Sequence, residues 1–347
     1  MEWLDAMRGF TMLLVVAYHV AQFAFREDEK ISSSLPFLVL FRMPLFFFVS
    51  GYLAYKANFF WTPHTYLAQV WKKVKIQVIP TLVFLIVFLV VRSKMPLWDG
   101  LLKCFSLPTK GGYWFTWVLL QMFIIYYTAA TLSQCIHSHL PVLLLWVVSL
   151  LASISLYLPH TLGKWYDTDL MMYSSFYETL KFLHFFLFGN LIHRYTTSKG
   201  ASYFIEKKNI FTSLIIIIAF LSCADLFRWH FCKDEWTNLP HTLAMYTLML
   251  TTILFFMHYQ QHFTQQTRTG RTLQYIGTRT LDIYLLHFIL MPRLPQIGQW
   301  LNANQPNFLI DILCSLALAC PVIALCCLVS NILRISPFFK LYLFGRK

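Results

Sequence analysis

Ten long apolar runs, separated by short polar or proline-bearing breaks, set the limits on what this chain can fold into. They lie near 7–25, 36–55, 76–92, 114–133, 140–158, 174–193, 210–227, 240–258, 280–299 and 308–333. A helix crossing the hydrocarbon core of a bilayer needs about 20 mostly apolar residues. In that core every backbone N–H and C=O must find a partner inside the protein, which leaves helices and closed barrels as solutions. A barrel would show short segments of alternating hydrophobicity, whereas these runs are continuous. The expected fold is all-α: a polytopic transmembrane helical bundle of about ten spans, with residues 1–347 forming a single integral membrane domain. The breaks between runs are too short to hold a soluble domain, and no internal repeat is visible.

Hydrophobic residues make up 58% of the chain and charged residues only 12%, about half the charged share of a soluble domain. That balance excludes a soluble globular enzyme, a disordered chain and a collagen-like fibre. The formal charge of +13 would suggest nucleic acid in a soluble protein. In a membrane protein it is the excess expected of loops kept in the cytoplasm, so no nucleic-acid partner is expected. Segments 56–75, 194–208, 259–279 and 334–347 carry fifteen Lys or Arg against Glu206 alone. Segments 26–35, 159–173 and 225–239 carry five against eight acids. The two sets alternate correctly if both termini are cytoplasmic in a multi-pass protein of the cell (inner or plasma) membrane. Segment 92–113 departs from the pattern, with four basic residues against Asp99; its apolar patches suggest a stretch lying on the membrane surface. The acidic N-terminus, with no small-residue cleavage site after its apolar run, does not read as a signal peptide. The eight cysteines show no C-x-x-C pairing, and no metal is expected. Four of them fall in the last run as small packing residues, and Cys223 and Cys232 are the pair that could meet in an external loop.

A charge at the bilayer centre costs about 2.5–3.5 kcal/mol on insertion scales, so ionisable groups inside spans mark candidate function. The first span holds Asp5, Arg8 and His19. Eleven steps of about 100° bring His19 back to within about 20° of Arg8, and about 1.5 Å per residue puts them about 16 Å apart along one face. An imidazole held out of bulk water suits a general base taking a proton from a hydroxyl, and an arginine at the mouth of that face suits a phosphate-bearing donor. The alternative is a structural histidine beside a snorkelling arginine. Arg42 lies inside the second apolar run and must find a partner or water, Pro44 removes a backbone donor, and Ser50-Gly51 permits close helix approach. Lys72, Lys73 and Lys75 read either as topogenic charges or as a cationic cradle for a phosphorylated ligand. Asp282, Tyr284 and His287 lie within the ninth run, where Arg279 and Asp282 are spaced to pair. Glu178 and His184 complete the polar inventory in the sixth.

Together these residues resemble the acyltransferase-3 family of integral membrane acyltransferases. Arg8 and His19 match its basic-x10-His signature inside a D-x-x-R-G opening formed by Asp5, Arg8 and Gly9. Residues 43–51 resemble its M-P-L-F-F-x-x-S-G segment, Trp114-Phe115 the W-F start of its fourth span, and Phe186 to Gly189 the F-x-x-G end of its sixth. Gly277 to His287 resembles its G-x-x-(S/T)-L-x-I-Y-L-L-H segment. The likeness runs in order from Asp5 to about Pro292. It implies transfer of an acyl group, usually acetyl from acetyl-CoA, onto a hydroxyl of a carbohydrate or lipid-linked sugar. His19 would then be the catalytic histidine, with Arg8 as its donor-side partner and Asp5 orienting Arg8. An R-x-x-R pair of the family falls on Lys72 and Lys75, which act as point charges and lack the bidentate fork. The donor would be held by Arg8, Lys72, Lys73, Lys75 and Arg279. Candidates on the acceptor side are Arg42, Tyr113, Trp114, Glu178, His184, Asp282, Tyr284 and His287. The expected partners are the lipid bilayer, acyl-CoA and a sugar acceptor, without the extra esterase-like domain some members carry. A secondary transporter, or an export-associated membrane protein for a sugar or small molecule, would share the location and the intramembrane charges.

Overall fold

The computed structural model describes the chain except residues 29–30, 33, 94, 157–168, 200–237, 305–307 and 345–347. The expected span near 210–227 and the Cys223–Cys232 pair lie outside the described residues. Every described element is helical. Among the described residues, five helices are long and apolar enough to cross a membrane: Glu2–Phe25, Ser34–Ala54, Pro63–Arg92, Trp114–Cys135 and Phe308–Leu333. Shorter apolar helices cover Leu140–Ser155, Thr242–His258 and Thr280–Leu290. The chain divides into two compact units, one formed by 1–46 with 200–330 and the other by 47–199 with 331–347.

In the first unit, α1 (Glu2–His19) carries Glu2 and Asp5 in its first turn, where carboxylates complement the positive end of the helix dipole. It runs on as a π-helical stretch over Val20–Phe25, a winding that hydropathy cannot reveal. The wider turn leaves carbonyls to be bonded from outside: Ala24 O accepts from Leu294 N at 2.8 Å. A Cβ at Gly298 would sit 1.9 Å from Phe25 O, so only glycine lets that backbone come so close. The remaining helices of this unit are the start of α2 (Ser34–Ala54), then others towards the C-terminus. The expected ninth span ends earlier than hydropathy suggests, at Leu290, because Pro292 and Pro295 follow and the chain re-enters helix only at Pro295–Asn304.

The turn from α1 to α2 holds a buried carboxyl pair. Ser32 Oγ lies 2.6 Å from Glu27 Oε2 and 3.2 Å from Asp311 Oδ2, and Asp311 Oδ2 also accepts the Ser34 amide at 3.0 Å. Asp311 thereby bonds the start of α2 from a distant helix, Phe308–Leu333. One hydroxyl hydrogen cannot serve both carboxylates, so a proton on Glu27 relieves the conflict. Burial, with Asp311 alongside, pushes Glu27 up to about 7.

The second unit begins in the later half of α2. Thr62 and Thr65 form a reciprocal capping box ahead of Pro63, which starts a helix well before the apolar run expected near 76–92. The helix α3 (Pro63–Lys73) passes through a π-helical stretch, Val74–Val78, into α4 (Ile79–Arg92). The helix α5 (Leu97–Ser106) buries Gly100 and Cys104 and exposes Leu97, Trp98 and Leu102. It is followed by α6 (Trp114–Cys135), α7 (Leu140–Ser155), α8 (Asp169–Ser174) and α9 (Phe176–Lys199). The helix α2 packs on α9 through its Ser50-Gly51 step. A Cβ at Gly51 would stand 1.7 Å from Phe186 O, and one at Gly189 2.1 Å from Phe48 O. Lys110 is 3% exposed, and its ammonium donates to the carbonyls of Phe105, Leu107, Met172 and Tyr173 at 2.7–3.4 Å. It pins the segment after α5 to α8.

Two outcomes test this account. Lys110→Met strands those carbonyls and removes charge-assisted bonds, so thermal unfolding in detergent should show a loss of about 2 kcal/mol. For Glu27 the folded value lies above the ordinary 4.5, so its contribution is complete below about pH 4.5 and is lost as pH rises through about 7. Glu27→Gln should flatten that fall in a melting series across the same range.

Candidate active site

Helix α10 (Asn238–His258) precedes α11 (Arg268–Thr278) and α12 (Thr280–Leu290). The contact that organises the first unit is between α1 and α11. A Cβ on Gly9 would lie 1.9 Å from Leu273 O, and one on Gly277 1.8 Å from Asp5 O. Each glycine also faces the backbone N of the other, at 3.1 and 3.0 Å. The two helices therefore touch backbone to backbone, as small residues allow between packed helices. Helix α1 and the α11–α12 stretch run in the same direction, because ten residues beyond each glycine the chains meet again at His19 and His287.

At the first contact Arg8 forks between two partners. It donates through Nη1 to Asp5 Oδ1 at 3.1 Å and through Nη2 to Thr280 Oγ1 at 3.2 Å. Asp5 is thus bonded to Arg8, and Thr280 is a further partner that spacing did not assign, although it occupies the S/T position of the motif. Both ion-pair side chains remain partly exposed, at 24% and 33%, which leaves the guanidinium reachable by an anion. The Arg279 guanidinium lies 3.8 Å from the Tyr275 ring centroid. At the second contact His19 Nδ1 lies 2.9 Å from His287 Nε2, and His287 Nδ1 lies 3.0 Å from Ile283 O. His287 is fully buried and His19 nearly so, with Phe23 and Phe288 against His19. The ring of Tyr284 is 6.1 Å from that of His287.

Arg42 is buried, and its guanidinium sits 3.6 Å over the ring of Tyr18, a cation–π contact that strengthens out of water. It is also within electrostatic reach of both histidines. Asp282 accepts from Ser330 Oγ at 2.6 Å, a partner 48 positions away that no local spacing could reveal. Among the described residues no group of three or more His, Cys, Asp or Glu is arranged to hold a metal ion. Asp5, Arg8, His19, Arg42, Arg279, Asp282, Tyr284 and His287 thus all belong to one unit.

The other candidates belong to the second unit. Lys72 and Lys75 are exposed, while Lys73 lies 3.7 Å over the Phe123 ring. Lys56, which sequence reasoning passed over, joins this cluster: burial and then the nearby Lys72 hold its pKa down. Tyr113 is buried against Phe88, and Trp114 packs with Phe47 and Phe182. His184 is buried beside Phe185, and Glu178 is half-buried in the first turn of α9.

Gly277→Ala should force α1 and α11 apart, at a cost of about 1–3 kcal/mol for an overpacked contact. It should also lengthen the Arg8–Thr280 bond. A lower unfolding midpoint, with normal membrane insertion, is the expected readout.

Residues 1–331 match the family model described as an acyltransferase domain. No curated protein and no solved structure matches the chain. With the motif residues of α1 and of α11–α12 brought together in one unit, the match over nearly the whole length places the chain in the acyltransferase-3 family.

Proposed function

We propose that this membrane acyltransferase is an O-acyltransferase. In this reading it moves an acyl group, acetyl from acetyl-CoA in the first instance, from the cytoplasmic side to a hydroxyl of a cell-surface or lipid-linked carbohydrate. The observation that carries the reading is the His19 imidazole, buried ten residues beyond a helix contact that also fixes Arg8. The alternating loop charges support cytoplasmic termini, which puts the Arg8 end of the face on the donor side.

His19 removes the proton from the acceptor hydroxyl as its oxygen attacks the thioester carbonyl. The tetrahedral intermediate collapses by breaking the C–S bond, and the departing thiolate takes the proton back from His19. The products are the acyl ester and free CoA. Arg8 and Arg279 offer the first unit's cations to donor phosphates, with Arg8 preorganised by Asp5 and Thr280. Lys56, Lys72, Lys73 and Lys75 form the second unit's cationic cluster and attract the same kind of anion as point charges.

The test is transfer of labelled acetyl from acetyl-CoA in membranes carrying the protein, with CoA release followed in parallel. His19→Ala should lower the rate by about 10²–10⁴-fold, the usual worth of a positioned base, at unchanged expression. Arg8→Ala should raise the KM for acetyl-CoA far more than it lowers kcat. Wild-type transfer by His19→Ala would end the proposal, and substrate uptake without CoA release would point instead to a transporter.

A further inference from the structure

We infer that His287 is the positioning residue of this site, holding His19 in the tautomer whose Nε2 is the free base. The inference rests on reading His19 as the base and assigns the histidine across from it a defined task.

The assignment starts at a backbone carbonyl. Nδ1 of His287 lies 3.0 Å from Ile283 O, one turn earlier in α12. A carbonyl oxygen only accepts, so this nitrogen carries the hydrogen. Neutral His287 then presents the lone pair of Nε2, which is 2.9 Å from Nδ1 of His19. Two ring nitrogens at that distance hold one hydrogen between them, and it must belong to His19. The rings suit this bond: their planes differ by only 16°, and their centroids are 4.9 Å apart while the nitrogens are 2.9 Å apart. The rings therefore lie nearly parallel and meet through their nitrogen-bearing edges. With Nδ1 donating, His19 is left with its lone pair on Nε2. Among the described residues, no hydrogen bond closes off that atom.

The direction of the chain cannot reverse without giving up the bond to Ile283. The same arrangement serves the next moment of the reaction. When Nε2 of His19 takes a proton, the imidazolium keeps its Nδ1–H pointed at a basic nitrogen, as a triad's third member does for its histidine. Because His287 is neutral, the gain is mainly orientation and tautomer choice. Packing makes the alignment stiff, since the Phe288 ring lies 4.0 Å from His287 and 4.7 Å from His19 between centroids.

Two readouts test this on the full-length chain in nanodiscs. In protein labelled with ¹⁵N-histidine, long-range ¹H–¹⁵N correlation spectra, assigned by loss of signals in His19→Gln, should show His19 protonated at Nδ1 and bare at Nε2. His287→Phe keeps an aromatic ring but has no acceptor and should shift His19 towards the Nε2–H form. His287→Gln places an amide oxygen near the former Nε2 and should restore the Nδ1–H form. In the CoA-release assay, His287→Phe should lower kcat by about 10²–10⁴-fold with the acetyl-CoA KM unchanged, in the range seen when an orienting partner is lost, and His287→Gln should recover much of it. Wild-type His19 protonated at Nε2, or a His287→Phe enzyme with wild-type kcat, would overturn the inference. If His19→Gln retains full CoA release while the Nδ1–H tautomer is present, the role of His19 as base fails and the assignment of His287 as its orienting partner stands.

Discussion

The absence of a Cβ at Gly9 and Gly277 is the constraint on which the rest of the first unit depends. Two helices can touch backbone to backbone only where both lack a side chain, and here each glycine would strike the other helix's carbonyl if it carried even a methyl group. The arrangement of the candidate site follows from that contact and from helical rise. Arg8 precedes one glycine and Thr280 lies three residues after the other, so the fork of Arg8 closes beside the crossing. Ten residues further along each chain, about 15 Å of rise, the histidines come together. The second unit repeats the device with Gly51 and Gly189. The four glycines that gave the motifs their character are paired two by two.

Much of this was legible beforehand, for a physical reason. The bilayer forces backbone bonds into helices, so apolar run length identifies most elements. The same solvent makes buried charge costly, so Asp5, Arg8, His19, Arg42, Asp282 and His287 stood out individually. Which of them meet was not legible. His19 and His287 are 268 positions apart and Asp282 and Ser330 are 48 apart, and such pairings are set by helix packing that periodicity does not encode. The start of α3 was missed for a different reason. Its first turns are amphipathic and polar, and only the capping box of Thr62 and Thr65 marks them.

The unit handles its internal charges in three distinct ways. Arg8 keeps partial access to solvent and a carboxylate partner. Arg42 lies against the face of Tyr18. Glu27 and Asp311 crowd one serine hydroxyl, and burial with Asp311 alongside pushes Glu27 up to about 7. Of these three, the arrangement around Arg8 leaves a charge able to meet an incoming anion, and the proposed reaction sets Arg279, against the Tyr275 ring, beside it. Family membership supplies the chemical class; the proposed hydrogen-bond direction, from His19 to His287 and from His287 to Ile283, supplies the polarity the proposed reaction uses.

The π-helical stretch beyond His19 has an evolutionary consequence. A π turn holds one more residue than the α turn it replaces, so Val20–Phe25 is equivalent to a single inserted residue. Loss of that residue would rotate everything after it by about 100° and leave everything before it in phase. The acidic turn that follows can be re-aimed, lengthened or shortened while the histidine upstream keeps its place. Drift in the connection to α2 is thereby insulated from the histidine pair one turn away.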